Sequence, residues 1–340
     1  MMAKFCKKTF MTTLLFGCGL IAASASASSG VEQRPEIQRL IAEMVKQHQF
    51  QAKELNKLFS QVELMPEVIE AMNRPAEKQL NWENYRHIFL KEKRINMGAK
   101  YWQDNAQLLN RAEEKYGVPS EIIVAIIGVE SRFGEHKGKH KVINSLTTLA
   151  IDYPRRAKFF TGELKAFLLL AKEEGFDPLQ LKGSYAGALG KPQFISSSYR
   201  GYAVDFDGDG KRDLINSNAD VIGSVANYFK RHGWKKGEAI TVPAQVQGDG
   251  HQAWVKKGLK PKVTLRDARN MGVSWNGSLA ADKKSALIKL ENDNSTEYWL
   301  GLKNFYVISR YNHSQMYSMA VYQLAEEIRK RREQLTQTEI

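Results

Sequence analysis

The sequence predicts a mainly α protein of the α+β class, and three observations carry that reading. Apolar residues recur at helical spacing from Pro35 to about Tyr116. The run IIVAIIGVESRFG, residues 122 to 134, is too uniformly apolar at its start for anything but an interior helix. After Trp234 the pattern changes to short β-type stretches set apart by Gly, Asn and Asp. A chain of 340 residues can bury a large core, as one domain or as two or three packed subdomains. No internal repeat interrupts it.

Lys4, Lys7 and Lys8 precede an apolar segment from Phe10 to Ala23 and the small-residue string ASASASSG. That is the anatomy of a secretory signal peptide over residues 1–27, too short for a membrane span. Cleavage is expected after Ala25 or Ala27. The rival site Leu15-Phe16-Gly17-Cys18 would leave Cys18 lipidated, but Phe16 and the apolar Leu20 and Ile21 beyond it favour a soluble exported form. Cys6 and Cys18 both lie in the leader, so the mature part has neither a disulfide nor a cysteine nucleophile. Formal net charge is +13, of which the three leader lysines supply 3, leaving +10. Such a chain suits a polyanionic partner. Its cations are scattered through amphipathic helices rather than gathered with aromatics, which argues against nucleic acid and for an anionic wall polymer or a lipid surface.

The region 31–116 reads as helical. PEIQRLIAEMVKQHQF puts Ile37, Leu40, Ile41, Met44 and Val45 on one stripe, and QAKELNKLFSQVEL continues with Leu55, Leu58 and Phe59. Pro66 and Pro75 interrupt the pattern, and Trp82, Tyr85, Phe89, Tyr101 and Trp102 are expected to pack. The region 117–235 opens where Gly117 ends one helix and Pro119 starts the next in its first turn. On that helix Glu130 lies four residues beyond Ile126 and seven beyond Ile123, so its carboxylate faces the apolar side. Ionisation is costly there, which should raise its pKa toward that of a general acid. A solvated helix end or a partner for Arg132 is the structural alternative. Gly128 and Gly134 flank the acid and point to close approach by a ligand or another backbone.

The loop GEHKGKHK follows, then helices around SLTTLAIDYPRRAKFF and ELKAFLLLAKEEG. KGSYAGALGKPQFISSSYRGYAVDF is rich in Gly, Ser and aromatics and reads as an irregular, site-lining stretch. Asp152, beside Tyr153-Pro154, is the nearest second carboxylate, as a base or as a helix cap. DFDGDGKRD places Asp205, Asp207, Asp209, Gly210, Lys211 and Asp213 at positions 1, 3, 5, 6, 7 and 9 of an EF-hand-type loop, with Lys211 offering its carbonyl. Position 12 is Asn216, so Asp220 is the residue that could close a longer shell over 205–220. Structural Ca2+ is the reading, against ordinary Asp-Gly turns. In 236–313, EAITVPAQV, SALIKLEN, EYWLGL and NFYVISRYN predict a small sheet. The tail 314–340 predicts a helix from about Ser314 to Arg332 with Met316, Met319, Ala320, Tyr322 and Leu324 inward.

The blocks GVESRFG, TLAIDYPRRAKFF, GSYAGALGKPQF, SSYRGYAVDFDGDG, IGSVANYFKRHGW and NFYVISRYNHS closely resemble the membrane-bound lytic murein transglycosylase B family, from roughly Pro35 to the last helix. The resemblance implies a lysozyme-like catalytic core, a helical subdomain, a small β-containing one, an EF-hand-type calcium site and no organic cofactor. It implies cleavage of the bond between N-acetylmuramic acid and N-acetylglucosamine in peptidoglycan without water, leaving a 1,6-anhydromuramoyl end. Glu130 becomes the single catalytic acid and then base. Ser184 and Gln193 match residues that hold the sugar or its acetamido group, Tyr85 a sugar-contacting tyrosine, and Arg156 an arginine near substrate carboxylates. Tyr311 and Asn312 match a pair at the active-site wall, and Phe159 stands where relatives can carry tyrosine.

The sequence departs from the family at Pro192, where many relatives have glycine, at Ser196, a common proline, and in a loop from Asp213 to Asp220 that is one residue longer. The implied partner is the peptidoglycan glycan strand in the periplasm. Anchoring to the outer membrane through Cys18 and contact with the cell-wall synthesis machinery stay open. Two other readings stand beside this one. A hydrolytic muramidase would use Asp152 to activate water, and a non-catalytic peptidoglycan-binding protein would tolerate loss of Glu130. The missing partner carboxylate argues modestly against the first, and the retained acid argues against the second.

Overall fold

The computed structural model describes residues 30–74 and 80–338, so the leader with Cys6 and Cys18, and also Pro75, lie outside the described residues. Pro35 starts α1 (Pro35–His48) where its missing N–H costs nothing, and Gln49 ends it in the left-handed region at φ 57°. Ile37, Leu40, Ile41 and Met44 are buried as read, whereas Val45 is exposed. α2 (Ala52–Phe59) buries Leu55 and Phe59, and Pro66 opens α3 (Pro66–Asn73) at its first position. Asn81 caps α4 (Trp82–Phe89), its side-chain oxygen accepting from the Asn84 amide at 3.0 Å. α5 (Glu92–Asp104) and α6 (Ala106–Tyr116) follow, and Gly117 stops α6 at φ 73°. Next is α7 (Ser120–Ser131). Pro119 precedes its first residue rather than lying inside the first turn; Glu113 satisfies the Ser120 amide at 2.9 Å.

The stretch read as a plain loop contains β1 (His140–Lys141), which pairs antiparallel with β2 (Lys182–Gly183) around α8 (Val142–Asp152) and α9 (Ala157–Glu174). α10 (Ser196–Tyr202) and α11 (Asn218–Arg231) complete the helical body. The β-containing part is an antiparallel five-stranded sheet in the order β4-β6-β7-β3-β5. β3 (Thr241–Val246), β6 (Lys284–Glu291) and β7 (Thr296–Gly301) are three of the stretches read as strands. The edges β4 (Val263–Thr264) and β5 (Val273–Trp275) are too short to leave a pattern, and α12 (Gln252–Val255) and α13 (Leu265–Asn270) lie between.

The fourth stretch is a correction: NFYVISRYN carries α14 (Lys303–Ile308), not a strand. A short unbroken apolar run is ambiguous by periodicity. Here Phe305 and Ile308, three apart, are buried together with Asn304, whose amide is bonded to the backbone of Lys235 and Glu238. α15 (Gln315–Thr338) closes the chain. Its fully buried stripe is Tyr317, Val321, Leu324 and Ile328; Met319, Ala320 and Leu324 are inward as read, while Met316 and Tyr322 are only half-buried.

α7 is the axis. Residues 122–128 are all buried, with α5, α6, α11 and α15 packed around them, and one apolar cluster runs from Ile37 in α1 to Ile328 in α15. The sheet is buried on both faces. Ile288 and Leu290 meet Trp82, Phe305 and Met319, and Leu287 and Leu300 meet Trp254 and Leu265 on the other side. The two glycines beside Glu130 admit this chain's own side chains. A Cβ on Gly128 would lie 2.6 Å from the Phe133 Cζ, and one on Gly134 would lie 3.2 Å from the Lys191 Cε. Gly128→Ala gains about 1 kcal/mol of helix propensity. The overlap with a ring that cannot retreat costs about 1–3 kcal/mol. The expected outcome is a net loss of stability, read as a melting temperature lower by about 2–4 °C.

Candidate active site

Glu130 is the penultimate residue of α7, and the chain turns sharply just after it. Arg132 and Phe133 both stand in the left-handed region, at φ 50° and 58°. Two consecutive non-glycine residues there store strain, which persists only where surrounding contacts impose it. Those contacts are visible: the Phe133 ring fills the hollow over Gly128 and packs on Tyr101 at 5.5 Å between centroids. Glu130 itself is half-buried, and its Oε1 accepts a hydrogen bond from the Tyr317 hydroxyl at 2.5 Å. The acid is thus gripped from a helix 187 positions away in sequence.

Beside it lies a cleft of about 500 Å³. Of the residues singled out from sequence, Arg156, Phe159, Gln193, Tyr311 and Asn312 line this cleft together with Glu130. Gln193 holds φ 51°, a third strained non-glycine position at the site. Its amide nitrogen donates to the carbonyls of Gly190 at 2.8 Å and Lys137 at 3.3 Å. Both partners are acceptors, so the amide orientation is fixed and the oxygen is left for another donor. Tyr311 donates to the Pro192 carbonyl at 2.6 Å, pinning the turn that carries Gln193. Arg156 lays its guanidinium over the Phe159 ring, 4.1 Å from the centroid, so the two form a stacked rim. Phe159 is 39% exposed, a large apolar surface left to a ligand.

Tyr85 and Ser184 are not among the residues that line the cleft. The ring of Tyr85 is fully buried between Trp82 and Phe89 in the second core cluster, near the Tyr317 phenol that holds Glu130. The Ser184 oxygen accepts from the amides of Ala188 at 3.0 Å and Ala186 at 3.3 Å, so it shapes its own turn and is not among the cleft-lining residues. Asp152 is also away from the cleft. It is the last residue of α8, exposed and 3.7 Å from Arg34, which removes both the base and the capping roles. Glu130 is the sole carboxylate lining the cleft among the described residues.

Sequence reasoning missed Tyr317, Tyr228, Ser198, Arg310 and His313. For Tyr317 a signal existed, because the spacing Tyr317, Val321, Leu324, Ile328 is an inner stripe at i, i+4, i+7 and i+11. Tyr228 donates to the Arg310 carbonyl at 2.6 Å, and its ring meets Tyr311 at 4.9 Å and stacks on His232 at 4.1 Å. Burial, and then the field of Glu130, pushes the Tyr317 and Tyr311 phenols well above their ordinary pKa; burial does the same to Tyr228. All three stay protonated across the neutral range and act as donors.

In the acidic loop, carboxylate oxygens of Asp205, Asp207 and Asp209 lie within 4.8 Å of one another, close enough to share one cation. Gly210 supplies the sharp turn at φ 86°, and the amides of Gly208 and Gly210 hold Asp205, the latter drawing its pKa down. Lys211 donates its amide to Asp209 at 2.9 Å. Asp213 and Asp220 also brace the loop's own backbone. Asp213 accepts from the Ile215 and Asn216 amides, and buried Asp220 accepts from the Phe206 and Asp213 amides at 2.7 Å each.

Comparison with known proteins follows the same lines. A family model described as Transglycosylase SLT domain matches residues 32–326. Membrane-bound lytic murein transglycosylase B of Escherichia coli (strain K12) is 42% identical over 303 residues, covering 86% of this chain and 82% of that protein. Soluble lytic transglycosylase SltB1 from Pseudomonas aeruginosa is 47% identical with a TM-score of 0.83, covering 88% and 99% of the two chains. The Escherichia coli lytic transglycosylase Slt35 in complex with calcium is 42% identical with a TM-score of 0.81, covering 88% and 94%. SltB3 from Pseudomonas aeruginosa in complex with NAG-anhNAM-pentapeptide is 30% identical with a TM-score of 0.76, covering 88% and 80%.

The grip on Glu130 is testable. A hydrogen bond to a charged group contributes about 1.5–3 kcal/mol. Tyr317→Phe keeps the buried ring and is expected to lower kcat about ten- to a hundredfold. KM and the thermal midpoint should move little, as steady-state kinetics and a melting curve would show.

Proposed function

The chain belongs to the transglycosylase SLT family, and from that premise we propose that it is a peptidoglycan lytic transglycosylase using Glu130 alone as acid and then base. The observation that carries this reading is the single cleft carboxylate. Ordinary glycosidases need two, the second as nucleophile or to activate water. Among the described residues, no second carboxylate lines the cleft. A substrate that brings its own nucleophile removes the need.

In this scheme Glu130 delivers its proton to the oxygen bridging N-acetylmuramic acid C1 and N-acetylglucosamine O4 as that bond breaks. Positive charge gathers at C1 of the muramic residue, beside the new carboxylate. That residue's 6-hydroxyl attacks C1, and Glu130 takes the hydroxyl proton back, so the acid is regenerated and no water is consumed. Tyr317 orients the carboxylate throughout. The Gln193 oxygen suits a donor such as an acetamido N–H, and Arg156 suits the lactyl or stem-peptide carboxylates with its planar fork. A product carrying an anhydro sugar bound to the SltB3 relative supports the same outcome here.

The substrate lies outside the cytoplasm, which agrees with the secretory leader read from residues 1–27. Among the described residues no helix is long and apolar enough to cross a membrane. We place a structural Ca2+ at Asp205, Asp207 and Asp209, whose clustered oxygens fit a hard cation; the calcium complex of Slt35 supports the assignment.

The test is digestion of purified peptidoglycan by the protein and by Glu130→Gln, with mass spectrometry of the released muropeptides. Products lighter than hydrolysis products by the mass of a water, lost by at least a thousandfold in the variant, are expected, on the order of the roughly 4 kcal/mol that proton transfer contributes. Products with a reducing end would instead make the enzyme a muramidase. For the metal, chelation is expected to lower the melting temperature and added Ca2+ to restore it, because a ligand bound only by the folded state stabilises it. Magnesium at equal concentration should restore less, since it resists a flexible carboxylate shell.

A further inference from the structure

A second hollow, of about 410 Å³, opens on the β-containing part of the molecule and shares no lining residue with the catalytic cleft. Five lysines ring it: Lys235, Lys260, Lys283, Lys284 and Lys303. They arrive from four separate stretches of chain, so no run in the sequence announces them. We propose that this hollow is a docking surface for an anionic phospholipid bilayer.

The ring is built rather than incidental. Fully buried Asn304 donates to the carbonyls of Lys235 at 2.8 Å and Glu238 at 2.9 Å and accepts from the Lys235 amide at 2.9 Å, which fixes the 235–238 turn against α14. The Lys262 amide donates to the Ser285 carbonyl at 3.1 Å, and β4 pairs with β6, which holds the Lys260 loop beside Lys283 and Lys284. Glu238 is the one acid lining the hollow, and Lys283 engages it at 3.1 Å. Lys235, Lys260, Lys284 and Lys303 pair with no acid among the described residues. Exposed Lys256, Lys257 and Lys262 extend the charge along the same loop.

The chemistry of the ring selects the partner. Wall carboxylates are planar and suit the arginine fork, yet this hollow holds no arginine. Lysine ammonium groups are point charges on flexible apolar stems, and they suit phosphates that can rearrange around them. Pro261 and Tyr306 add apolar lining, with the Lys303 ammonium 5.6 Å from the Tyr306 ring centroid, surface along which lysine stems can lie. Tyrosine with an apolar body and a wet tip is itself suited to a membrane interface. Tyr306 sits on α14, and Arg310, Tyr311 and Asn312 of the cleft follow that helix directly. A bilayer held here uses none of the residues that hold the glycan.

The experiment uses the protein exported from a precursor carrying Cys18→Ser and cleaved beyond it, so that no acyl chain contributes. Its partition onto vesicles of phosphatidylcholine mixed with phosphatidylglycerol is compared with vesicles of phosphatidylcholine alone. Binding is expected only to the anionic vesicles and is expected to fall as salt is raised. Replacing Lys235, Lys260, Lys284 and Lys303 together by Gln should weaken it by about fivefold per lysine, several hundredfold in all. A charge-matched control, Gln at exposed Lys46, Lys53, Lys57 and Lys93, should weaken it at most a few-fold. Unchanged cleavage of soluble glycan fragments by the hollow variant shows that it is folded. Equal loss in the two variants, equal binding to neutral vesicles, or no loss in the hollow variant would each overturn the proposal. So would loss of binding to isolated wall sacculi with vesicle binding intact, which would assign the ring to wall carboxylates.

Discussion

Everything at the site depends on keeping a polar acid at the end of a helix that is otherwise sealed in apolar contacts. α7 has no wet face over residues 122–128, so it cannot form its environment alone; α5, α6, α11 and α15 have to close around it. Only then does Tyr317 reach Glu130. The pair is therefore made by tertiary packing, because its two partners belong to the middle and the end of the chain. The sharp left-handed turn at Arg132 and Phe133 serves the same end. It stops the helix at the acid and returns the Phe133 ring to fill the space that Gly128 leaves.

The cleft wall is fastened by phenols to main-chain carbonyls. Tyr311 holds Pro192, and Tyr228 of α11 holds Arg310, so each of two segments lining the cleft is clamped by a tyrosine. This explains why proline is tolerated at 192, where the family resemblance leads one to expect glycine. Proline removes an amide donor, but the contact that matters is made by its carbonyl, which proline keeps. Because burial holds these phenols protonated, the clamps do not loosen in the pH range where a carboxyl group titrates.

What could be read from sequence was what local pattern controls. The helical first part, the interior α7, the strands β3, β6 and β7 and the acid on an apolar face all leave periodic traces. What escaped depends on tertiary partners. NFYVISRYN has a strand-like composition, and only the buried Asn304 contacts decide that its first part is a helix. Ser184 and Gln193 lie nine positions apart in one Gly-rich stretch, yet one faces its own turn and the other the cleft. Tyr85 packs its ring between the helices and the sheet near the Tyr317 phenol, a placement that only the fold supplies. Asp152 lies close to Arg156 in sequence, and the end of α8 turns it outward to Arg34.

The acidic loop and the cleft are one mechanical unit, and the reason lies in its second half. Lys191 donates to the Asn216 carbonyl at 3.0 Å and to Asn218 at 2.5 Å, its amide donates to Leu214 at 2.9 Å, and Lys137 donates to the Ile215 carbonyl at 3.2 Å. Gln193 in turn donates to the carbonyl of Lys137. The loop's second half is thus stitched to the turn that carries Gln193 into the cleft. Asp220 closes the loop with protein hydrogen bonds to Phe206 and Asp213, which accounts for the absence of a carboxylate at Asn216. Asp205, Asp207 and Asp209 are left clustered in the first half of the loop. The acidic loop and the cleft wall therefore share backbone that Lys137 and Lys191 hold in place.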